Sequence, residues 1–433
     1  MTRRAWVALD NASNIFLAAR SEIDPKVFRI SAEMDDDVDP ELLQRALDET
    51  YDDYPLYHAV LRRGIFWYYL QDSDLRPAVG PDAQYPCAPI YQADRRNLLF
   101  RVMHHRRRII LETFHALSDG TGALWFITDL LDAYCRLCHP GDPVPPVKNA
   151  HPVQGLSTDS FAHYFRGRGP VGPAPGGRTP RHPLGRHVQR VRGTRTPDDR
   201  TRLVELTMPA ADVLALARAE GVGLTVHLTA LFLESVRRAT PATRRAPVMT
   251  ASIPVNLRQY FPSASARNFF AAIRVEHDYR AADNSVAAVA RDLESQFRPR
   301  VTPEALHHKL HKLIRFERMP LLRIVPSTLK NDILKGINQG NNRALTVAVS
   351  NLGRVALPQP AESHVGRMLF HTAAVRPQFC AVSHAGQLTV SFTSPFVQVG
   401  HVREFARLLT AAGIDVTVAM ERVTEAEISG APS

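Results

Sequence analysis

Two spacings of apolar residues recur along the chain and predict a succession of strands and helices. Apolar residues at every second position predict strands, and apolar residues three and four positions apart predict helices. In the first half, Asp39-Pro40 opens a helix, because aspartate caps a helix N-terminus and proline suits its first turn. Apolar residues also recur at helical spacing from Leu124 to Tyr134. Strands are predicted in this half at 27–34, 58–62, 65–70, 98–104 and 108–114.

The second half contains the same kinds of element. Residues 225–239 are apolar on nearly every side of a helix, which predicts a helix buried in the core. This mixture of strands and helices predicts a mixed α/β fold in each half, with predominantly antiparallel or mixed sheets. Helices are further predicted at 212–220, 285–297 and 402–412, and strands at 203–208, 248–253, 271–277, 345–350 and 388–392.

The two halves are separated by a segment of unusual composition. Residues 166–200 hold nine arginines against two acids, Asp198 and Asp199, among frequent glycines and prolines. This composition predicts an irregular linker. A chain of 433 residues is also too long for one ordinary core, because single cores stop growing at about 250–300 residues. We therefore predict an N-terminal domain at 1–165, the linker at 166–200 and a C-terminal domain at 201–433.

The charge and the hydropathy limit the classes of partner. The formal net charge is +10, and much of the excess lies in the linker. The linker lacks the interleaved aromatic residues on a folded face that nucleic-acid binding uses, so we expect no nucleic-acid partner. A basic segment such as this linker would attract other polyanions, such as coenzyme A. We expect no transmembrane segment, because no long apolar run is present. We also expect no secretory signal, because Asp10, Asn11 and Asn14 interrupt any apolar stretch at the N-terminus. The protein is therefore expected to be cytoplasmic.

The cysteines and histidines contain no complete metal-site pattern. Cys135 and Cys138 form a C-x-x-C pair near the end of a predicted helix, without the second pair that a zinc site needs. His307 and His311 have the spacing of some metal ligands but lack the glutamate of H-E-x-x-H. We expect reduced cysteines, a solvated basic face around the histidines, and no metal.

The most informative segment is residues 109–122, I-I-L-E-T-F-H-A-L-S-D-G-T-G. An apolar strand ends there in a loop that bears His115, Asp119 and Gly120, and a helix follows at once. The pKa of histidine lies near neutrality, so an imidazole at a strand end is suited to take a proton from a hydroxyl. Asp119 would orient the loop or neutralise a buried arginine, and Gly120 would adopt a backbone conformation barred to other residues. The alternative is that His115 only ends the strand, with Asp119 as the N-cap of the next helix.

This segment resembles the H-x-x-x-D-G signature of the coenzyme-A-dependent acyltransferase superfamily. That superfamily includes chloramphenicol acetyltransferase, plant BAHD-type enzymes and the condensation domains of nonribosomal peptide synthetases. Four further segments, in the expected order, are similar to bacterial alcohol-acetyltransferase-like proteins, and together they extend the resemblance over nearly the whole chain apart from the linker. They are L-R-R-G-I-F-W-Y-Y-L at 61–70, I-P-V-N-L-R at 253–258, A-R-N-F-F at 266–270 and V-S-N-L-G at 349–353.

The resemblance implies two chloramphenicol-acetyltransferase-like domains, each an α/β sandwich with mixed, largely antiparallel sheets, and a tunnel between them. His115 matches the general base that deprotonates the acceptor hydroxyl or amine for attack on the thioester, without a covalent acyl-enzyme. Asp119 and Gly120 match the structural part of the motif, and Arg258 is the expected partner of Asp119. Acyl-coenzyme A is then the co-substrate, a small alcohol or amine is the acceptor, and no permanently bound cofactor is expected.

Two further residues are candidates for the site, and the sequence departs from the pattern of the superfamily at two points. Ser350 and Asn351 are candidates for donating hydrogen bonds to the developing oxyanion, although S-N-L-G also suits a simple turn. Phe114 stands where many members carry a first histidine, and the D-F-G-W-G motif of the plant branch is absent. The alternatives are a condensation or release enzyme that takes its acyl group from an acyl carrier protein, and a catalytically silent binding protein with the same fold.

Overall fold

Strands and helices alternate along the part of the chain that the computed structural model describes, which is residues 5–64, 67–93, 95–141, 160–165, 188–196, 200–280, 283–317 and 327–420. The strands are β1 (Trp6–Ala8), β2 (Val27–Met34), β3 (Ala59–Arg63), β4 (Tyr68–Asp72), β5 (Gly80–Pro81), β6 (Phe100–His105), β7 (Arg108–Phe114), β8 (Arg202–Pro209), β9 (Val248–Asn256), β10 (Phe270–Asp278), β11 (Val347–Arg354), β12 (Val365–Thr372), β13 (Gln378–His384), β14 (Gln387–Ser394) and β15 (Thr417–Met420). The helices are α1 (Asn11–Ala19), α2 (Pro40–Asp52), α3 (Gly120–Cys138), α4 (Ser160–Phe165), α5 (Ala210–Ala219), α6 (Leu224–Ala239), α7 (Val286–Phe297), α8 (Pro303–Glu317), α9 (Ser327–Arg343), α10 (Ala361–His364) and α11 (Gly400–Ala411).

Two large sheets organise these elements. One has the strand order β12-β2-β7-β6-β5, and the other has the order β10-β9-β11-β13-β14-β8-β15. The pairs β5–β6, β9–β11 and β11–β13 are parallel, and the other pairs in these two sheets are antiparallel. The predicted α/β fold with mixed, largely antiparallel sheets is therefore confirmed. A small third sheet pairs β1, β4 and β3.

Each large sheet builds its own apolar core. Helices α2 and α3 cover one face of the five-stranded sheet, with Phe28 and Phe126 among the buried rings. In the second core, helix α6 is buried at every position from Val226 to Val236, as its apolar composition predicted. The rings of Phe232, Phe392 and Phe405 pack edge to face in this core. Burial of each such side chain stabilises the fold by about 1.5–3 kcal/mol.

One strand connects the two halves in a way that the sequence pattern did not predict. Strand β12 comes late in the chain, but it pairs antiparallel with β2 in the first sheet, with Phe370 opposite Ile30. The chain then returns to the second sheet through residues 373–377, here called the crossover segment, before β13 begins. The domain boundaries at 165 and 201 stay a prediction. Strand β12, which belongs to the second half of the chain, lies in the five-stranded sheet of the first half.

The predicted linker is described only in part. Residues 166–187 and 197–199 lie outside the described residues. Val188 forms a parallel bridge with Val248, and the amide of Gln189 accepts a hydrogen bond from the backbone of Ala246 at 2.6 Å. The end of the segment is thus attached to the second domain, where the composition alone predicted an irregular connection throughout.

Several local predictions have direct outcomes. Asp39 caps α2 through two backbone N–H groups, and all four cysteines are free thiols, as predicted. The face of α8 is less solvated than predicted, because His307 packs against Phe165 and Phe261. Of the predicted strand 65–70, residues 65 and 66 lie outside the described residues, and β4 begins at Tyr68. In the described residues no single helix is long and apolar enough to cross a membrane, while α5 and α6, bent by 87°, pass that test only as a pair.

Candidate active site

His115 lies at the end of the central strand of the five-stranded sheet. Strand β7 is hydrogen-bonded to β2 on one side and to β6 on the other, which fixes the position of its last residue, Phe114. The backbone N–H of His115 then donates to the carbonyl of Lys26 at 2.7 Å. Lys26 has a φ of 59°, a left-handed conformation that is uncommon for a side chain of this kind. Both the strand and this turn therefore determine where the imidazole points.

The imidazole of His115 is surrounded by aromatic rings. It stacks on Phe16 with a centroid distance of 3.8 Å, and Phe28 meets it edge to face at 4.9 Å. Burial among these rings lowers the pKa of His115 to about 4, although the negative charge of Asp119 acts in the opposite direction. Apolar surroundings disfavour the charged imidazolium. The imidazole is therefore neutral at neutral pH, which is the state a general base requires.

Asn268 fixes which nitrogen of His115 carries the hydrogen. The Asn268 side-chain N–H₂ donates to the His115 carbonyl at 2.8 Å and to Ser13 Oγ at 3.0 Å. Its Oδ1 therefore faces His115 Nδ1, at 3.2 Å. An amide oxygen only accepts hydrogen bonds, so this network assigns the hydrogen to Nδ1 and leaves the lone pair on Nε2. The sequence placed Asn268 within the segment A-R-N-F-F, but no pattern indicated this contact.

Asp119 links the loop of His115 to the second half of the chain. Its Oδ1 accepts the N–H of Gly122 at 2.9 Å and caps α3. Its Oδ2 accepts from Arg258 Nη1 at 2.8 Å and from the Phe269 N–H at 2.7 Å. The two alternatives that the sequence left open, a helix cap and an arginine partner, are thus satisfied by one carboxylate. Arg258 also donates to the carbonyls of Ser265 and Arg267 and lies over the ring of Trp125.

The prediction that Gly120 adopts a conformation barred to other residues is wrong. Gly120 begins helix α3 and is not among the described residues with positive φ. Space at this position is limited, because a Cβ there would lie 2.7 Å from Leu352 Cδ2, although this end of a flexible side chain can shift. Gly122 is tighter still, since its Cβ would lie 2.2 Å from the carbonyl oxygen of Ala266. The sequence could show these glycines but not which neighbours approach them.

Ser350 and Asn351 lie on β11 and line the same cavity as His115. The side chain of Asn351 donates to Thr225 Oγ1 at 2.9 Å and accepts the N–H of Gly353 at 2.8 Å. These bonds fix the amide and use one of its two N–H groups. The S-N-L-G segment is part of β11, which continues to Arg354 with an irregularity in its pairing. The roles of both residues in stabilising an oxyanion stay predictions.

A cavity of about 290 Å³ brings these residues together from both halves of the chain. His115, Asp119 and Gly120 reach it from the first sheet, and the second half contributes β9, β10 and β11. Arg258 does not line it but pairs with Asp119, which does. Further lining side chains that the sequence did not single out are Phe16, Lys26, Phe270, Phe370, Arg376 and Gln378.

A second group of titratable side chains converges elsewhere, at Asp35, His139 and His364. Their potential ligand atoms lie within 4.8 Å of one another, and His364 Nδ1 is 2.6 Å from Asp35 Oδ2. The two imidazoles are stacked at 3.7 Å with an angle of 2° between their planes. An imidazole lone pair lies in the plane of its ring, so two parallel rings do not direct their lone pairs to one point. This group is arranged as a hydrogen bond and a ring stack.

Comparison with known proteins identifies the fold. No protein-family model matches the sequence, and no curated protein sequence matches it significantly. The trichothecene 15-O-acetyltransferase TRI3 from Fusarium sporotrichioides matches with a TM-score of 0.61 at 10% identity, over 95% of this chain and 94% of that one. TRI101 from F. sporotrichioides, solved with coenzyme A and T-2, has a TM-score of 0.61 at 12% identity, over 96% and 99%. The first condensation domain of the CDA synthetase has a TM-score of 0.57 at 16% identity, over 95% and 97%. The chain therefore has the chloramphenicol-acetyltransferase-like fold that coenzyme-A-dependent acyltransferases share with condensation domains, as predicted.

Proposed function

We propose that this protein is an acyltransferase that moves an acyl group from acyl-coenzyme A to a hydroxyl or amine of a small acceptor. The observation that carries this proposal is the state of His115. Its imidazole is neutral, its hydrogen is held on Nδ1 by Asn268, and it lines a cavity between the two halves. A neutral imidazole with a free Nε2 lone pair is the form that accepts a proton from an attacking hydroxyl.

The reaction then needs one proton carrier and no covalent intermediate on the protein. His115 Nε2 takes the proton of the acceptor, and the acceptor oxygen or nitrogen attacks the thioester carbonyl carbon. The tetrahedral intermediate carries an oxyanion, for which the Ser350 hydroxyl and the second N–H of Asn351 are the proposed donors. The carbon–sulfur bond breaks, the coenzyme A thiolate leaves, and the proton on His115 is returned to it.

The structural similarities support this proposal at the level of the fold. One similar structure is named as an O-acetyltransferase, and another was solved with coenzyme A and T-2 together. The same fold is thus used in a protein that holds coenzyme A and a small molecule together. Identities of 10–16% do not carry the acceptor over to this chain.

The main alternative takes its acyl group from an acyl carrier protein. The similarity to a condensation domain favours this alternative. The chemistry at His115 would be unchanged, because both donors present a thioester on a phosphopantetheine arm. A catalytically silent binding protein with this fold is the third possibility, and the neutral, oriented imidazole argues against it.

The proposal is tested by the release of free thiol from acyl-coenzyme A in the presence of alcohols and amines. We expect release that depends on the acceptor, together with an acylated product detected by mass spectrometry. The same acyl groups would be offered on a carrier protein. A clear preference for the carrier-bound donor would select the condensation alternative, and no transfer from either donor would leave the binding-protein interpretation.

The pH dependence of the reaction follows from the lowered pKa of His115. Because this pKa is about 4, the base stays neutral above it and becomes protonated only below it. We expect kcat/KM to be constant between pH 8 and about pH 5 and to fall about tenfold per pH unit below about pH 4. Circular dichroism in the same buffers would show whether the protein stays folded. A fall centred between pH 6 and 7 would contradict this environment for His115.

The role of Asn268 as a positioning residue gives a separate prediction. Asn268→Leu removes the acceptor for Nδ1–H, so the imidazole loses its orientation and its preferred tautomer. We expect kcat to fall by roughly 10- to 100-fold with little change in KM. Asn268→Asp should restore the acceptor and raise the pKa of His115, because an opposite charge favours the imidazolium. The acid limb of the pH profile should then move to higher pH, which a merely structural residue would not cause.

A further inference from the structure

The crossover segment places an arginine in the cavity that holds His115. Arg376 lies one residue before Pro377 and lines the cavity. In the described part of the chain, its guanidinium has no hydrogen-bond or ion-pair partner. Burial lowers the pKa of Arg376, which reflects the cost of removing a charged group from water. A guanidinium has five N–H donors, and a desolvated one is stabilised by a paired anion.

The acidic side chain that acts electrostatically on Arg376, Asp24, does not compensate this charge. Asp24 also lines the cavity, but its carboxylate already forms an ion pair with the Lys26 ammonium and accepts the Lys26 N–H at 3.3 Å. Two cations therefore face one carboxylate at this end of the cavity. The positive charge of Arg190 adds to the field at Arg376. This end of the cavity carries an excess of positive charge.

The position of Arg376 is fixed by the segments on either side. The backbone N–H of Ala373 donates to the carbonyl of Val27 at 3.1 Å. The Gln378 side chain donates back to the carbonyls of Thr372 and Ala373, at 3.3 and 3.0 Å. These bonds join the crossover segment to β2 and to β12. A binding group held on a fixed segment loses little conformational freedom when its ligand arrives.

The size of the cavity limits which anion can lie beside Arg376. About 290 Å³ is near the lower limit of pockets that hold a drug-sized ligand. The adenosine and diphosphate of coenzyme A, together with the pantetheine arm, exceed this volume. The acceptor and the reacting end of the donor are of a size to fit beside His115. A carboxylate carried by the acyl chain or by the acceptor is an anion of this size.

We propose that Arg376, with the excess positive charge that it shares with Lys26, binds a carboxylate of the substrate beside His115. The proposal rests on the proposed acyltransferase function and narrows its substrate class. The carboxylate is carried either by the acceptor, as in a hydroxy acid or an amino acid, or by the acyl chain, as in a dicarboxylic acyl thioester. A guanidinium forms two parallel hydrogen bonds with a carboxylate, which would also orient the reacting group toward His115.

Matched pairs of substrates test the proposal and separate the two sources. One arm compares hydroxy acids with their primary amides as acceptors, using acetyl-coenzyme A. The other arm compares succinyl-coenzyme A with butyryl-coenzyme A as donors, using neutral alcohols. Both arms would use the wild type, Arg376→Gln, Arg376→Lys and, as a control, Arg407→Gln. Arg407 is an exposed arginine on α11 that pairs with Glu404 and lies away from the cavity.

We expect the wild type to prefer the carboxylate-bearing substrate in one of the two comparisons, either the hydroxy acid over its amide or succinyl-coenzyme A over butyryl-coenzyme A. Arg376→Gln should lower kcat/KM for that member by roughly 10- to 100-fold, the usual effect of a lost charged hydrogen bond, and should change the neutral member less than about threefold. Arg376→Lys should retain part of the preference, and Arg407→Gln all of it. Equal losses for both members of each pair, or a wild type that prefers the neutral members, would overturn the proposal.

A binding measurement keeps this result separate from the proposed function. Isothermal titration of the same hydroxy acids and of succinate into wild type and Arg376→Gln needs no turnover. Binding that is lost in Arg376→Gln but kept in Arg407→Gln would support the carboxylate site even if no acyl transfer were found. Acyl transfer to neutral acceptors, without carboxylate-dependent binding or rate, would overturn the site and leave the proposed function standing.

Discussion

His115→Ala is expected to lower acyl transfer by about 100- to 10,000-fold, which is the usual contribution of a general base. The expectation follows from the geometry of the imidazole, whose Nδ1 is engaged by Asn268 and whose Nε2 has the free lone pair. The substitution should leave the fold intact. The contacts of the residue 115 backbone with Lys26 and Asn268 do not involve the side chain. The loss would be measured as acceptor-dependent thiol release under single-turnover conditions.

His105→Ala is a matched control for this substitution. His105 is exposed and lies near the turn between β6 and β7, at the opposite end of the strand that carries His115. It should leave kcat/KM within about twofold of the wild type. Transfer that persists unchanged in a folded His115→Ala protein would contradict the assignment of the base. Such a result would require another group to remove the acceptor proton.

The second large effect is expected at the ion pair between Asp119 and Arg258. Both side chains are almost fully buried, with 7% and 6% of their surfaces exposed. Asp119→Asn keeps an oxygen to cap α3 but removes the charge that pairs with Arg258. Breaking a buried pair leaves an uncompensated charge, so we expect a loss of about 3–5 kcal/mol in the free energy of unfolding. Urea unfolding, followed by fluorescence and circular dichroism together, would measure it.

A double-mutant cycle and a half-buried ion pair on the same helix make this prediction specific. Arg258→Met should also destabilise, and the double variant should lose less than the sum of the two single losses, by about 0.5–3 kcal/mol. Asp132→Asn is the control, because Asp132 pairs with Arg136 on α3 at a more exposed position, with 23% of its side chain exposed. Its loss should stay below about 1 kcal/mol. Equal losses in Asp119→Asn and Asp132→Asn would contradict the interpretation.

The two effects are coupled through the position of the loop that carries His115. Asp119 is four residues beyond His115 and holds the N-terminus of α3, Arg258 and the backbone of Phe269 at one point. Asn268, which orients the imidazole, immediately precedes Phe269. Loss of the ion pair should therefore also lower kcat in the fraction of protein that stays folded. We therefore expect the aspartate of the motif to act as a positioning residue for the proposed base.

The sequence by itself determined the periodic elements and the residues of the motif. The strand at 27–34, the strand at 108–114 and the buried helix at 225–239 follow from apolar spacing, because a sheet face and a helix stripe each require a local repeat. The H-x-x-x-D-G motif placed His115, Asp119 and Gly120 in one loop, since these residues are neighbours in the chain. The resemblance also indicated Arg258 as the partner of Asp119, and the two side chains lie 2.8 Å apart.

Only the tertiary structure decided the features that depend on residues far apart in the chain. The strand exchange of β12, the contact of Asn268 with His115 across 153 positions, and the arrival of Arg376 in the cavity have no local pattern. A hydrogen bond between distant residues depends on the packing of two sheets, which no repeat within a segment encodes. The lowered pKa of His115 has the same origin, because Phe16 and Phe28 reach the imidazole from separate elements. The motif thus indicated His115 as the proposed base, and the packing of the two halves set its tautomer, its charge and the cavity that it faces.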